Sequence, residues 1–156
     1  MKTRILSVGH KVPGWIQVGF DEYAKRLPPA HRIELVEIPP VTRNKSISAA
    51  QAVSREAKAI RQARRPGSRL VVLDEAGRQY STVQLAAVFD EWAMQGRDLD
   101  LVIGGADGVD PVLKHQADNL WSLSALTLPH PLVRVVVAEQ LYRVWSIRHQ
   151  HPYHRA

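Results

Sequence analysis

Residues Trp121 to Arg155 read WSLSALTLPHPLVRVVVAEQLYRVWSIRHQHPYHR. A run of small and apolar residues, Leu123-Ser124-Ala125-Leu126-Thr127-Leu128, leads into Pro129-His130-Pro131. A residue before proline is pushed into extended geometry, so Leu128 and His130 continue the loop, while Pro131 suits the first position of a helix. The loop's backbone groups then need partners outside regular structure. A bound ligand is one source of them, and an ordinary strand-to-helix loop is the competing reading. From Leu132 to Arg148 only Glu139, Arg143 and Ser146 form a consistently polar strip, with Glu139 and Arg143 in the favourable order for an ion pair. The rest of that helix is apolar, and a helix apolar nearly all round is buried nearly all round. Either a second subunit or the chain's own helices cover it.

Upstream lie short apolar runs alternating with helical patterns. Thr3 to Gly9, Ser68 to Asp74, Asp100 to Gly104 and Leu120 to Leu126 read as buried strands, and Arg32 to Ile38 as a half-buried one. Helices are expected from Pro13-Gly14 to about Leu27, from Ala49 to about Arg65, from the Ser81 cap to about Gln95, and from the Asp110-Pro111 cap to about Ala117. Trp15, Ile16, Phe20, Tyr23 and Leu27 form a stripe expected in the core of the first helix. Glu75-Ala76-Gly77 is expected to turn the chain and Gly96 to close a helix. Strands alternating with helices give an α/β domain with a largely parallel sheet flanked by helices, formed by residues 1–156 as one domain.

The chain has 21 Lys and Arg against 15 Asp and Glu, a net charge of +6. That favours an anionic partner, with nucleic acid first among them. The loop Val41 to Ser48 (VTRNKSIS) reads as mobile, with Arg43 and Lys45 suited to phosphates. The next helix carries Arg55, Lys58, Arg61 and Arg65 on its polar face. No cysteine is present, which removes disulfides and thiolate chemistry. No apolar run nears the roughly 20 residues of a membrane span, and the N-terminus lacks an export pattern, so a cytoplasmic protein is expected.

Ligands of open α/β sheets bind beyond the carboxyl ends of the strands. Three such ends stand out: Leu73-Asp74, Gly104-Gly105 and Leu123 to Leu128. At Gly104-Gly105 the missing Cβ lets a ligand approach the backbone. Neither GxGxxG nor GxxxxGK[ST] is present. His130, His149, His151 and His154 crowd the last quarter, but their spacing matches no helix-borne metal site and no metal is expected. In the tail, Tyr153 suits stacking on a base and Arg155 a phosphate.

LVIGGADGVDP, then WSLSALTLPHPLVRVVVAEQLYRVWSI, then HPYHR, with VGHKVPGWIQVGFDEYAKRLP near the start, together resemble the RlmH family of SPOUT-class ribosomal methyltransferases over essentially the whole chain. The resemblance implies S-adenosylmethionine-dependent methylation of the N3 atom of a pseudouridine in large-subunit ribosomal RNA, on the large subunit or the assembled ribosome. It implies a C-terminal trefoil knot, which physics would not predict. It also implies a homodimer whose RNA site uses both subunits. The cofactor would lie against Leu73, Gly104, Gly105 and the run Leu123, Ser124, Ala125, Leu126, Thr127 and Leu128. The family's tail motif falls on Tyr153, His154 and Arg155, with Arg143 and His130 as catalytic helpers. The family pattern has GGPEG where this chain has Gly104-Gly105-Ala106-Asp107-Gly108, so no catalytic role is given to Asp107. Two other functions stay open: a non-enzymatic basic factor that holds ribosomal RNA, and, within the resemblance, a SPOUT 2′-O-methyltransferase of transfer RNA.

Overall fold

The computed structural model describes residues 1–155. Five strands, β1 (Thr3–Val8), β2 (Ile33–Ile38), β3 (Arg69–Gln79), β4 (Leu99–Ile103) and β5 (Asn119–Ser122), form one sheet in the order β2-β1-β4-β3-β5. Every neighbouring pair is parallel. Five α-helices connect or follow them: α1 (Gly14–Ala24), α2 (Ala49–Ala63), α3 (Thr82–Met94), α4 (Pro111–Gln116) and α5 (His130–Arg148). Parallel strands need crossovers, and helices on both faces explain the continuous apolar runs read from the sequence.

Two cores follow. On one face Ile5, Val71, Leu99 and Leu101 pack with Phe20 of α1, Leu85 and Phe89 of α3, and Val137, Leu141 and Val144 of α5. On the other, Leu6, Val72 and Val102 meet Ala57 and Ile60 of α2 and Leu113 of α4. Helix starts follow local chemistry: Ser81 with Gln84, and Ser48 with Gln51, form reciprocal capping boxes, and Asp110 accepts from the Val112 and Leu113 amides ahead of Pro111. Gly96 closes α3 with φ +69°.

Several expectations change. Helix α1 ends at Ala24, three residues short of Leu27, and Trp15 is 63% exposed rather than in the core. The last strand stops at Ser122 instead of Leu126, and α5 already begins at His130. Ser146, placed on the polar strip, is buried and satisfies its hydroxyl on the Arg143 carbonyl at 2.7 Å. Helix α5 has no exposed residue, and α1 and α3 of its own chain supply that cover. Its apolar circumference therefore does not by itself require a second subunit.

The segment Glu75-Ala76-Gly77 does not turn the chain back. Strand β3 runs through it, and the pairing with β5 slips: Trp121 is partnered by both Leu73 and Arg78. The intervening residues bulge out, as extra residues in one strand must. Gly77 makes this possible, because a Cβ there would stand 2.7 Å from the Leu120 carbonyl carbon and the Trp121 amide nitrogen. Both atoms are backbone and cannot step aside. Gly77→Ala is expected to cost about 1–3 kcal/mol, read as a lowered midpoint in denaturant melts; an unchanged midpoint would contradict this packing.

Candidate active site and the C-terminal tail

The middle of β3, where its bulge starts, and the loops after β4 and β5 bound a cavity of about 530 Å³, within the usual range for small-ligand sites. Leu73, Gly104, Gly105, Leu123, Ser124, Leu126, Thr127 and Leu128 line it, and so does His130. Ala125 is exposed and lies outside the lining. Asp74, at an end the sequence singled out, also lines the cavity, as do Ile103, Val109, Lys114 and Val133, which the sequence reading did not name as site residues. Asp74 is held by Lys114 at 3.4 Å, so the middle of β3, at its bulge, is pinned to α4.

The two glycines earn their place differently from the expectation. A Cβ on Gly104 would meet Val109 Cγ2 at 2.7 Å and the Gly108 carbonyl at 2.8 Å, and one on Gly105 would meet Val8 at 3.1 Å. Their open space is filled by the chain itself, in a turn closed by Gly108 N–H donating to the Gly105 carbonyl, with Gly108 at φ +77°. Backbone without internal partners lies in the last loop. Among the described residues, no backbone N–H or C=O from Leu123 to Leu128 pairs with another backbone group. Side chains supply only two partners: Ser124 Oγ accepts from the Leu126 amide, and Ser122 Oγ donates to the Ser124 carbonyl.

At the cavity edge sits His130. Burial first, and the Arg134 guanidinium second, push its imidazole below the usual 6.5, while Glu56 opposes this weakly. A base depressed by folding stabilises the fold fully above its unfolded value, and loses that contribution as pH falls through the folded value. His130 is expected to titrate below 6.5 by proton NMR and to stand neutral at neutral pH; a midpoint above 6.5 would refute it. Arg134, 1% exposed, was not foreseen. It donates to Ser7 Oγ at 2.9 Å, to Glu37 at 3.0 Å and to the Gly9 carbonyl at 2.6 Å, tying the start of α5 to the ends of β1 and β2. A lone arginine in an apolar helical run was the available signal.

The tail folds back on α5. Tyr153 donates its hydroxyl to Glu139 at 3.0 Å, and Arg143 donates to the same oxygen at 2.9 Å. The Arg143 guanidinium also lies 4.7 Å from the Tyr153 ring centre and donates to His154 Nδ1 at 3.4 Å. Burial, then the Glu139 hydrogen bond, push the Tyr153 phenol above its ordinary value. Arg26 of the segment after α1 stands over the same Tyr153 ring at 5.8 Å, a neighbour that no local pattern announced. Arg155 is exposed. The structure thus gathers Tyr153, His154 and Arg143 but not His130. At 1.5 Å per residue, Arg143 lies roughly 20 Å along α5 from His130.

In loop 41–48, Arg43 departs from the expected phosphate role. Arg43 binds buried Glu56 through two nitrogens at 2.9 Å, and Asp107 at 2.8 Å, so its charge is internally satisfied. Among the described residues no three His, Cys, Asp or Glu side chains cluster as a metal site, and no helix is long and apolar enough to cross a membrane.

A parallel sheet whose rim loops bound a ligand-sized cavity, with a basic aromatic tail laid on the last helix, defines an α/β domain with a small-ligand site. The family model described as "Predicted SPOUT methyltransferase" matches residues 1–154, and the chain belongs to that family. The trefoil knot is implied by that membership. The chain is 56% identical over its full length, and theirs, to proteins of Burkholderia lata, Burkholderia multivorans and Burkholderia cenocepacia, each named ribosomal RNA large subunit methyltransferase H.

Proposed function

We propose that this methyltransferase transfers a methyl group from S-adenosylmethionine to the N3 atom of a pseudouridine in large-subunit ribosomal RNA, acting on the assembled ribosome as a homodimer. The supporting observation is the loop Leu123 to Leu128, whose backbone groups have no backbone partners and face a cavity of the right size. The relatives' names supply the ribosomal RNA, and the tail motif supports the nucleobase. In this reading Gly104, Gly105, Leu73 and the last loop hold the cofactor. The bound sulfonium would supply an electrophilic methyl group.

The chain's own groups handle the nucleobase. N3–H lies between two carbonyls, so its proton must leave and charge develops on the carbonyl oxygens. Arginine has no acceptor, so His154 Nδ1 must accept from Arg143 and the ring proton of a neutral imidazole sits on Nε2. That Nε2 is buried with no partner. That ring N–H is therefore a donor, not a base toward N3. Tyr153, with its raised pKa, retains its proton at neutral pH and orients Glu139 and Arg143. Arg143 and exposed Arg155 supply positive charge where the anion develops. His130, neutral in the cavity, shapes the cofactor side and is free to take a proton.

Within one chain the tail lies roughly 20 Å along α5 from the cavity, which supports a site shared between two copies. Exposed Trp15 and Val18 on α1, at 63% and 70%, offer a second copy an apolar surface. Mass spectrometry of ribosomal nucleosides after incubation with S-adenosylmethionine tests the assignment. The expected product is one N3-methylpseudouridine per large subunit; a methyl group found only on transfer RNA ribose, or on no RNA, would overturn it.

A further inference from the structure

We propose that Lys11 and Lys45, continued by Arg55 and Lys58 on α2, form a phosphate rail along which the ribosomal RNA backbone lies as it enters the cavity. The inference rests on the preceding assignment of ribosomal RNA as substrate. Most cations of this chain are engaged internally: Arg4, Arg43, Arg65, Arg97 and Arg134, among others, meet carboxylates within 3.4 Å. The four rail residues are exposed and make no ion pair or side-chain hydrogen bond among the described residues. A formal charge of +6 therefore has to be traced to particular free groups, and these four lie on one side of the fold.

Their placement follows from the strand order. Lys11 follows β1 and Lys45 follows β2, so in a parallel sheet both sit at the carboxyl rim that holds the cavity. The two loops start together, with Gly9 N–H donating to the Ile38 carbonyl at 2.8 Å. Each loop also touches the cavity wall. A Cβ built on Gly9, two residues before Lys11, would stand 3.7 Å from His130 Nε2, and Arg43, two residues before Lys45, holds Asp107 at 2.8 Å. Lys45 is presented from a fixed turn, because Asn44 Oδ1 accepts from the Ser46 amide at 2.8 Å and the Ile47 amide at 3.1 Å. From Ser48 the chain enters α2, whose solvent face carries Arg55 and Lys58 one turn apart.

The carboxylates nearest this edge are paired in part: Arg134 holds Glu37, while Glu56 and Asp107 share Arg43 and keep one net negative charge between them. Neighbouring strands lie about 4.8 Å apart, so the loops after β1 and β2 extend the rim by roughly 10 Å from β4. That is one to two phosphate spacings, the reach a strand needs while one base occupies the cavity.

The test compares Lys11→Gln/Lys45→Gln with Arg32→Gln, an equally exposed cation at the opposite rim, before β2. Binding to large ribosomal subunits is measured by sedimentation over a salt series, with methyl transfer and calorimetric S-adenosylmethionine affinity alongside. Each phosphate contact to single-stranded RNA contributes about 0.7 to the slope of log affinity against log salt, so the double variant should lose about 1.4 in slope. Near 0.1 M salt this is a roughly twenty-fold weaker affinity, read also as a raised KM for RNA with unchanged cofactor affinity. Arg32→Gln should match the wild type. A photoreactive benzoylphenylalanine in place of Lys45 should crosslink to ribosomal RNA. Equal salt slopes for the double variant and wild type, or crosslinks to ribosomal protein only, would overturn the rail. Failure of the broader assignment looks different: wild type would leave no methyl group on ribosomal RNA, whatever its salt slope.

Discussion

Asp100→Ala is expected to lower stability by about 3–5 kcal/mol, the range for breaking a buried ion pair from one side. Asp100 is fully buried on β4, next to Arg4 on β1 in register. It accepts from Arg4 Nε at 2.9 Å and Nη2 at 3.2 Å, from Ser68 Oγ at 2.6 Å and from the Arg65 amide at 3.2 Å. Removing it leaves the Arg4 guanidinium, 9% exposed in its side chain, with only the Ala63 carbonyl as partner. Against a total of about 5–15 kcal/mol this is a large fraction, and the melting temperature should fall on the order of 10 °C. Asp98→Ala is the control. Asp98 pairs with Arg65 at 3.4 Å but is 37% exposed, so its salt bridge is worth about 0–1 kcal/mol. Equal losses for the two variants in thermal melts would show that burial is not what makes the Asp100 cluster matter. A double change, Arg4→Met with Asp100→Leu, should recover part of the loss, since the Arg4 charge is removed while Arg64, Ser68 and the Arg65 amide still lose Asp100.

The contrast between these two aspartates shows what local pattern carries and what it does not. Asp100 and Asp98 look alike in the sequence, both beside an apolar run. Only the parallel register of β1 with β4 puts Arg4 against one of them, 96 residues away. Arg134 is the same case, with partners 97 to 127 residues away. By contrast the cavity was legible, because glycines after a buried strand and prolines after a small-residue run are local backbone signals. The β3 bulge was not. Glu75-Ala76-Gly77 carries turn chemistry, and only the close approach of the Leu120–Trp121 peptide shows why the chain continues instead. The charge of loop 41–48 was visible, but not its division: Arg43 is taken by Glu56 and Asp107, while Lys45 stays free. Asp107, which departs from the family's expected glutamate, thus has a partner that holds the rim turn to the neighbouring loop.

Arg143→Ala is expected to lower kcat about 10²–10³-fold while leaving S-adenosylmethionine affinity unchanged, the size of loss seen when one preorganised donor to a developing anion is removed. Arg143 touches Glu139, the Tyr153 ring and His154, so its loss also frees the tail from α5. None of these groups lines the cavity of the same chain. If tail and cavity serve one reaction, they must come from two protomers. Thr127→Trp, at an exposed position on the cavity wall, should abolish cofactor binding with little effect on folding. Each variant alone is then inactive for a different reason. Mixed after subunit exchange, they should regain activity, because a heterodimer contains one intact cavity facing one intact tail. Random pairing makes about half of all dimers mixed, each with one competent site of two, so recovery near a quarter of wild-type turnover is the expected ceiling. Methyl transfer to ribosomes by the mixture decides this. No recovery from a mixture that chromatography shows to have exchanged subunits would place tail and cavity action within one chain, and would require the tail to leave α5 and cross roughly 20 Å to reach its own cofactor.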